Sequence, residues 1–270
     1  MFILLTNMNS TLVKHMKYSR TSITDTIHII DGMPILYLED YKALVLTDLH
    51  LGIEAIMSED GTFSPLNQTK KQIEIISGYL NSIKPEILVL NGDIKHSFHE
   101  PTRIENRDVK NFLQSISLLV NEIHITKGNH DVFLNWVVRD IQNATFHEDS
   151  FILNQYYFTH GDKSLPSELL DEIEFIIIGH EHPVLLANVN GFQKIRVPIF
   201  LKGPICNRKA QLIVQPSFTD YSSGTPIHPL SKENLLSPIL REEVDLSLFE
   251  LFALSEDKEV LKFPSLDKWL

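Results

Sequence analysis

The sequence predicts an α/β fold, and two observations predict it. Short apolar runs that end in glycine and polar residues recur along the chain, a pattern typical of interior strands. Between several of these runs lie longer stretches in which apolar residues recur at helical spacing. The repeated order of strand, polar motif and helix is that of βαβ units, so we expect parallel strands with helices packed against them.

The N-terminal part is expected to be a loose extension followed by a hairpin. Residues 1–24 carry little periodicity, so we expect one domain over residues 25–270 with this extension before it. Residues 27–30 and 35–38 are apolar and flank an Asp-Gly pair. They predict two antiparallel strands that lead into the first polar motif.

Five buried strands and two helices are predicted in the central part of the chain. The strands are residues 41–47, 87–90, 123–126, 156–159 and 175–178. Residues 67–83 and 106–120 carry apolar residues at helical spacing, and Pro85 ends the first of these helices. Because each helix lies between two strands, it is predicted to connect them as a crossover.

The C-terminal part changes to an antiparallel pattern. Short strands are predicted at residues 199–201, 211–214 and 216–218, and a closing hairpin at residues 248–254 and 260–263. The segment 223–238 is rich in proline and serine and is expected to be irregular.

A polar motif follows each of the five central strands. The motifs are Asp48-Leu49-His50, Asn91-Gly92-Asp93, Gly128-Asn129-His130-Asp131, His160-Gly161-Asp162 and Gly179-His180-Glu181-His182. Carboxyl ends of parallel strands meet at one edge of a sheet, so we expect these side chains to come together. Carboxylate, amide and imidazole donors suit Mn, Fe or Zn better than Mg or Ca alone. The motifs therefore predict two divalent metal ions, Mn first and Fe or Zn as alternatives.

The spacing of the motifs fits hydrolysis of a phosphoester by two cations. Such a centre holds the cations about 3.5–4 Å apart, and one activates a water that attacks phosphorus. A carboxylate can bridge two metals whereas a neutral imidazole binds through one nitrogen, so Asp93 is the expected bridge. Asp48 and His50 are one residue apart, which on an extended segment places both side chains on one side.

The same alternation predicts roles around the last motif and the middle one. His180 and His182 would share a side, and Glu181 between them would point away and have a structural role. Asn129 supplies a neutral oxygen ligand, and His160 completes the second metal's ligands. His130 directly follows a ligand and is expected to face the substrate, where it would donate to a phosphate oxygen or protonate the leaving group.

The ordered motifs, from about residue 47 to residue 182, resemble those of the calcineurin-like metallophosphoesterase superfamily. The resemblance implies a double β-sheet sandwich flanked by helices, with a dinuclear metal centre. It implies that Asp48, His50, Asp93 and His182 bind one metal and that Asp93, Asn129, His160 and His180 bind the other. His130 matches the family's catalytic or phosphate-contacting histidine.

One position points to a branch of this superfamily. Many of its phosphatases carry a second aspartate after Gly-Asp that orients the catalytic histidine, but this chain has His96 there. In this it resembles the archaeal SbcD-related phosphoesterases and the DNA-repair nucleases. We therefore expect His96 to be catalytic, and a phosphodiester substrate such as DNA or a nucleotide. The alternative for His96 is a surface histidine beside the pocket.

Other candidate residues receive structural interpretations. The remaining histidines, which are His15, His28, His99, His124, His147 and His228, are expected to be structural. Asp131 is expected to be the N-cap of a following helix. Trp136 and Trp269 are expected to be packing residues and not platforms for base stacking.

Composition narrows the function classes. The net charge of −11 over 270 residues argues against a broad basic surface that grips nucleic acid. It leaves a metal-dependent nuclease open, since bound cations supply positive charge at the phosphate. A single cysteine and no long apolar stretch predict a cytoplasmic protein without a membrane partner. No protein partner is predicted.

Two alternatives to the nuclease hypothesis stay open. The first is a small-molecule phosphatase or a cyclic-nucleotide phosphodiesterase with the same metal centre. The second is an inactive phosphoesterase fold that serves as a binding module, whose sequence mark would be the loss of several ligands. All of the expected ligands are present in this chain.

Overall fold

Two β-sheets pack face to face in the computed structural model of the chain. The structure describes residues 18–54, 68–189, 193–228, 232–255, 257 and 259–269. The sheets have seven and nine strands. Helices lie on the outside of the first sheet, so the predicted double β-sheet sandwich flanked by helices is confirmed.

The first sheet begins with antiparallel strands and continues with parallel ones. In spatial order its strands are β1 (Arg20–Ser22), β2 (Ile27–Ile30), β3 (Leu36–Leu38), β4 (Ala43–Leu46), β5 (Ile87–Asn91), β6 (Glu122–Thr126) and β7 (Ala144–His147). Pairing is antiparallel from β1 to β4 and parallel from β4 to β7. The predicted hairpin and the three predicted strands of this sheet are confirmed.

Each parallel step of this sheet is made by a helix. The helices are α1 (Gln68–Ile83), α2 (Arg103–Ser117) and the short α3 (Asn135–Val138). Helix α2 begins three residues before the predicted start because Thr102 is its N-cap, with the side-chain oxygen accepting from the Glu105 N–H. Both predicted crossover helices are confirmed, with a shifted boundary for α2.

The second sheet is mixed. Its strands are β8 (Ser150–Leu153), β9 (Tyr156–Thr159), β10 (Phe175–Ile178), β11 (Pro183–Val189), β12 (Gln193–Pro204), β13 (Gln211–Val214), β14 (Thr225–Pro226), β15 (Glu250–Leu254) and β16 (Val260–Phe263). The spatial order is β14-β11-β12-β13-β10-β9-β8, and β15 pairs with β12 and with β16. Four short helical segments accompany this sheet. Three lie between β14 and β15, at Lys232–Asn234, Ile239–Glu243 and Leu246–Leu248, and the fourth, Leu266–Trp269, follows β16. The closing hairpin β15–β16 is confirmed.

The strand predicted at residues 216–218 is wrong. This segment leaves β13 and crosses to the first sheet, where Phe218 N–H donates to the Thr47 carbonyl. The Ser217 hydroxyl donates to the Asp48 carbonyl at 3.1 Å. The segment therefore forms its hydrogen bonds with the residues at the end of β4, and it joins the two sheets beside the first motif.

The core has three apolar layers because successive strand residues point to opposite faces. Val45, Val89, Phe158 and Ile177 lie between the two sheets. On the other side of the first sheet, the neighbouring strand residues pack against α1 and α2. The outer face of the second sheet is covered by residues that include Ile239, Leu240 and Phe249.

Two buried amides hold the sheets in register. Asn91, at the end of β5, donates from Nδ2 to the Thr159 and Ile177 carbonyls of the second sheet, both at 3.0 Å. Gln215 donates from Nε2 to the Val45 carbonyl of the first sheet at 3.0 Å. Because buried polar groups that lack partners are costly, these bonds favour one relative position of the sheets.

The N-terminal boundary can be described only in part. Of the predicted extension over residues 1–24, the structure describes residues 18–24, and Arg20–Ser22 among them pair with β2. The extension as a whole stays a prediction. In the described part of the chain, every helix is too short or too polar to cross a membrane.

Candidate metal centre

The five motifs meet at one edge of the sandwich, as the strand order predicts. Pairing between β4 and β5 continues beyond both strands, with Asp48 N–H donating to the Gly92 carbonyl and His50 N–H to the Asp93 carbonyl. In the second sheet, Gly179 N–H donates to the His160 carbonyl at 2.9 Å. These bonds position the ligand segments relative to each other within each sheet.

The backbone at this edge is not extended. Five motif residues have left-handed backbone angles: Asp48 (φ 54), His50 (φ 47), Asp93 (φ 52), His180 (φ 64) and His182 (φ 48). The expectation that alternation on an extended segment would place these pairs on one side is therefore wrong in its geometry. Such conformations cost free energy in residues other than glycine and cluster at functional sites. Sharp turns at the strand ends, and not strand alternation, bring these side chains together.

The predicted ligands form two groups joined by one carboxylate. Donor atoms of Asp48, His50 and His182 lie within 4.8 Å of one another, and so do those of Asp93, His160 and His180. Oδ2 of Asp93 lies 3.2 Å from Nε2 of His160 and 3.8 Å from Nε2 of His50. One carboxylate oxygen of Asp93 thus faces both groups.

The remaining predicted ligand belongs to the second group. Oδ1 of Asn129 lies 3.2 Å from Nε2 of His160, beside Asp93. Nδ1 of His180 lies 3.3 Å from the same nitrogen of His160. All seven predicted ligand residues are therefore brought together.

The imidazole rings of His160 and His182 are held in the way that is typical of metal-binding histidines. His160 is fully buried, and its Nδ1 donates to the Asn91 carbonyl at 3.2 Å, which turns Nε2 towards Asp93. His182 has Nδ1 bonded to the Ser222 hydroxyl. Metal-binding histidines characteristically use the second ring nitrogen for such an outer hydrogen bond.

A buried nitrogen without a hydrogen bond tests whether a cation fits. Nε2 of His182 is buried and has no hydrogen-bond partner among the described residues, although it lies 3.1 Å from Oδ1 of Asp48. The two atoms are close but not aligned for a hydrogen bond. A lone pair and a carboxylate that face one point fit a shared cation, so this donor set fits a metal.

The charges of the protein groups favour cations at this edge. Burial lowers the pKa of His50 to about 3 and that of His180 to about 4, which keeps these rings in the neutral form that binds metals. Burial also acts to lower the pKa of His160, but the carboxylates of Asp93 and Asp48 raise it to about 10. Their field therefore holds positive charge even in a fully buried position.

Two motif glycines are required by close approach. A Cβ atom on Gly92, whose φ is 88°, would overlap the imidazole of His160. A Cβ atom on Gly128 would overlap the carboxylate of Asp93. Glycine at these positions lets the backbone pass directly behind the His160 and Asp93 side chains.

His130 and His96 lie on one side of the two ligand groups. His130 N–H donates to Oδ1 of Asp93 at 3.0 Å, and its Nδ1 is bonded to the His96 carbonyl. The His96 side chain is partly buried, and its Nδ1 lies 3.4 Å from Nδ1 of His50. Donor atoms of His50, His96 and His130 lie within 4.8 Å of one another. The structure therefore brings both predicted catalytic histidines to the ligands, and the main chain of residue 96 orients His130.

The expectation that Asp131 caps the following helix is wrong. Its carboxylate accepts from the N–H groups of Gly128 and Ile94, both at 2.9 Å, and from that of Lys95 at 3.2 Å. Helix α3 starts at Asn135 with no side-chain cap. Asp131 thus connects the third motif to the residues after the second motif. Two of its three partners are 37 and 36 residues away, so the local sequence does not reveal this connection.

Glu105 is a second buried residue that connects distant segments, and this role was not predicted from the sequence. The pattern Thr102-x-x-Glu105 is that of a capping box, in which the glutamate turns back to its own N-cap. Instead, Oε1 of Glu105 accepts from the N–H groups of His96 at 2.9 Å and Ser97 at 2.7 Å. Helix α2 thus holds the loop that carries His96, and the capping-box pattern is the signal that could have drawn attention to Glu105.

Glu181 has the structural role that was predicted. It is fully buried, and its carboxylate accepts from the N–H groups of Leu236 and Ser237, both at 2.9 Å. It anchors the last motif to the segment after β14.

Other residues with structural predictions give mixed outcomes. His28 pairs with Glu39, and His124 and His147 bond to each other, so structural roles fit these three. Trp136 contacts the ring of Phe133, with 4.7 Å between the centroids, and is 53% exposed, so it packs at the surface and not in the core. His15 and the side chain of Trp269 lie outside the described residues.

Comparisons with known proteins agree with this architecture. The sequence pattern of the calcineurin-like phosphoesterases matches residues 41–196, which is more than half of the chain and includes every predicted ligand. No curated protein matches. Among solved structures, the nuclease MPE of Pseudomonas putida is similar with a TM-score of 0.61 at 16% identity, over 92% of this chain and 100% of that one.

Two further solved structures show weaker likeness. The phosphoesterase Yfce of E. coli has a TM-score of 0.39 at 11% identity, over 83% of this chain and 98% of that one. The protein of unknown function AQ665 from Aquifex aeolicus has a TM-score of 0.34 at 18% identity, over 55% and 81%. The likeness to the Pseudomonas protein concerns the fold, whereas the matched sequence pattern concerns the motifs. With that pattern covering both donor groups, the chain belongs to the calcineurin-like phosphoesterase family of metal-dependent hydrolases.

Proposed function

We propose that this phosphoesterase hydrolyses phosphodiester bonds of nucleic acid or nucleotides with two divalent cations, and that it lies in the SbcD-like nuclease branch. The observation that carries the proposal is the position of Asp93, one oxygen of which faces His160 at 3.2 Å and His50 at 3.8 Å. One carboxylate between two donor groups is the arrangement that a two-metal centre needs. Mn is the proposed metal, with Fe or Zn as alternatives, because oxygen and imidazole donors are mixed.

The proposed ligand sets follow the two groups. Asp48, His50, Asp93 and His182 would hold one cation, and Asp93, Asn129, His160 and His180 the other. When bound, the cations would supply a water-derived nucleophile at neutral pH and neutralise charge on the phosphate. Seven protein ligands, of which four are neutral imidazoles and one is a neutral amide, carry only two negative charges. The centre would therefore keep net positive charge for an anionic substrate.

His130 is proposed to act on the substrate. Because a carbonyl oxygen can only accept, Nδ1 carries the proton that bonds to the His96 carbonyl. This fixes the ring and leaves Nε2 as the working nitrogen, 3.7 Å from Oδ2 of Asp93. In the protonated ring, Nε2 donates to a phosphate oxygen or to the departing oxygen.

His96 supports the choice of a diester. It places a third imidazole beside His50 and His130, where many phosphatases of the family carry an aspartate. An imidazole adds no negative charge next to the phosphate and can donate to it. The Pseudomonas putida protein with the similar fold is named as a nuclease, which is consistent with a diester substrate. A cytoplasmic location, based on the lone Cys206, is part of the proposal.

The experiment is a substrate profile in Mn with metal analysis of the same protein. We expect about two metals per chain, hydrolysis of methyl p-nitrophenyl phosphate, and cleavage of single-stranded DNA. Double-stranded DNA, a phosphomonoester and a cyclic nucleotide complete the panel. Rapid turnover of a monoester or cyclic nucleotide without DNA cleavage would exclude the nuclease and indicate a small-molecule enzyme. Less than one metal per chain after reconstitution with Mn would contradict the dinuclear centre and favour a binding module.

A further inference from the structure

Exposed aromatic side chains are concentrated beside His130. Phe98 is 56% exposed, and its ring lies over that of His130 with 3.6 Å between the centroids. Phe133 and Trp136 follow His130 in the chain and are 37% and 53% exposed, with ring centroids 4.7 Å apart. Tyr18 is the other exposed aromatic residue in the described part of the chain. We call Phe98, Phe133 and Trp136 the aromatic rim.

The segment that presents the rim is anchored from below. Leu134, Val137 and Val138 are buried in the layer between the first sheet and its helices. Phe133 has a left-handed backbone (φ 68), which is costly for a bulky residue. This turn directs the ring outwards while its neighbour Leu134 is buried. Hydrophobic burial therefore fixes the segment in a form that leaves two aromatic rings at the surface.

A cavity lies against the rim. It has a volume of about 270 Å³, and its lining includes Pro101, Phe133 and Trp136. This is just below the range of about 300–1,000 Å³ for pockets that take drug-sized ligands, so it suits one ring system. Arg139 also lines the cavity, and its guanidinium has no carboxylate within 4.0 Å among the described residues. Lys110 in the same lining pairs with Asp140, and Glu100 is the other carboxylate of the lining. Arg139 is therefore the lining cation that forms no ion pair among the described residues, and beside two aromatic rings it matches a flat ring joined to a phosphate.

We propose that the aromatic rim binds an unstacked nucleobase next to the phosphodiester at the metal centre. This rests on the proposed function and specifies its substrate as single-stranded nucleic acid, since bases of an intact duplex are stacked and do not present their faces. Phe98 lies on the ring of the working histidine, and Phe133 and Trp136 follow that histidine in the chain, on the segment that its motif begins. Stacking on aromatic side chains is tolerant of sequence because every base has a π-face.

The test compares DNA strands with and without bases, and proteins with and without the Trp136 ring. Oligothymidylate and the same strand with abasic tetrahydrofuran units are measured as ligands and as substrates in Mn. We expect the normal strand to be favoured about tenfold, within the range that one stacked base gives. The ratio between the normal and the abasic strand should fall to about one in Trp136→Ala. It should be largely retained in Trp136→Phe. Leu118→Ala, which alters a highly exposed residue at the end of α2, is the matched control and should keep it.

A second readout does not depend on activity or on metal. The chain has two tryptophans, so Trp269→Phe leaves Trp136 as the sole tryptophan fluorophore. Oligothymidylate should quench its emission at low salt, and the abasic strand should not. Thermal unfolding of each variant checks the fold, and Trp136→Leu replaces Trp136→Ala if the latter is unstable.

The outcomes separate this inference from the proposed function. The rim site is overturned if binding and cleavage of the normal strand and of the abasic strand are about equal in the wild type. It is also overturned if the preference for the normal strand is unchanged in Trp136→Ala. Both conclusions hold even if diester hydrolysis is normal. No diester hydrolysis in Mn, with a tenfold ratio that needs Trp136, overturns the proposed activity and leaves the rim site supported.

Discussion

The histidines of the centre differ in what holds their second nitrogen. His160 is fixed by a main-chain carbonyl and His182 by the Ser222 hydroxyl, and both turn Nε2 towards a carboxylate. His130 is fixed through Nδ1 by the His96 carbonyl but stands outside the two ligand groups in the proposed assignment. All three rings are thus held through Nδ1, and the position of His130 outside the two donor groups distinguishes the proposed proton donor from the proposed ligands.

Asp93→Asn and His130→Ala should separate metal binding from turnover. The first substitution removes the charge shared by both groups, so metal content and activity should fall together. The second should keep the metals and lower kcat by about 10²- to 10⁴-fold, the usual contribution of a positioned acid or base. Metal content per chain and kcat of the same preparations are the measurements. Normal turnover by His130→Ala would show that the histidine has no part in the reaction.

At the scale of elements, the site depends on contacts between segments that are distant in sequence. Helix α2 holds the His96 loop through Glu105, Asp131 joins the second and third motifs, and Asn91 joins the two sheets. Each of these side chains is buried. A buried acceptor that satisfies several N–H groups fixes one arrangement of the segments it joins.

Glu105→Ala should lower activity without removing the metals. It leaves the His96 and Ser97 N–H groups without their acceptor, and displacement of a loop by about 1 Å can reduce the rate up to about 100-fold. Glu105→Gln keeps one oxygen and should retain most of the activity. Reduced metal content in Glu105→Ala would contradict the view that this residue positions only the catalytic loop.

Asn91→Ala should lower the free energy of unfolding by about 2–4 kcal/mol. It removes the hydrogen bonds that Asn91 Nδ2 donates to the Thr159 and Ile177 carbonyls, and each interior group left unsatisfied costs about 1–3 kcal/mol. Asn81→Ala is the matched control, because Asn81 is exposed on α1 and its loss should change stability by no more than about 0.5 kcal/mol. Equal effects of the two substitutions in urea unfolding would rule out a special role for the inter-sheet amide.

The same contacts explain how far sequence alone could predict this protein. Strands, crossover helices and the order of the ligands follow from local patterns, so they were predictable. The left-handed turns at Asp48 and His182 were not, because nothing in the local sequence forbids an extended strand there. Asp131 was predicted to be a helix cap, and tertiary contacts override that pattern. Glu105 lies in a capping-box pattern, but its contact with the His96 loop was not predicted. Trp136 is exposed although its neighbours Val137 and Val138 are buried.

At the scale of the whole molecule, negative charge outweighs positive charge. Several of the surface cations form ion pairs, and Lys71, Lys110 and Arg208 pair with Asp220, Asp140 and Glu243. The net charge is −11. A strand would therefore be held by the metal centre and by stacking on the rim, with little help from surface lysines and arginines.

This balance predicts a weak dependence of strand binding on salt. For single strands, the logarithm of the association constant falls with the logarithm of salt concentration by about 0.7 for each phosphate that protein cations neutralise. With the metals and Arg139 as the main cations, one or two such contacts give a slope of about −0.7 to −1.4. Binding of oligothymidylate to His130→Ala between 50 and 300 mM salt, with Mn held constant, measures it. A slope of about −3 or steeper would mean that a basic surface outside the metal centre carries the strand, and that the ion pairs of Lys71, Lys110 and Arg208 open to form it.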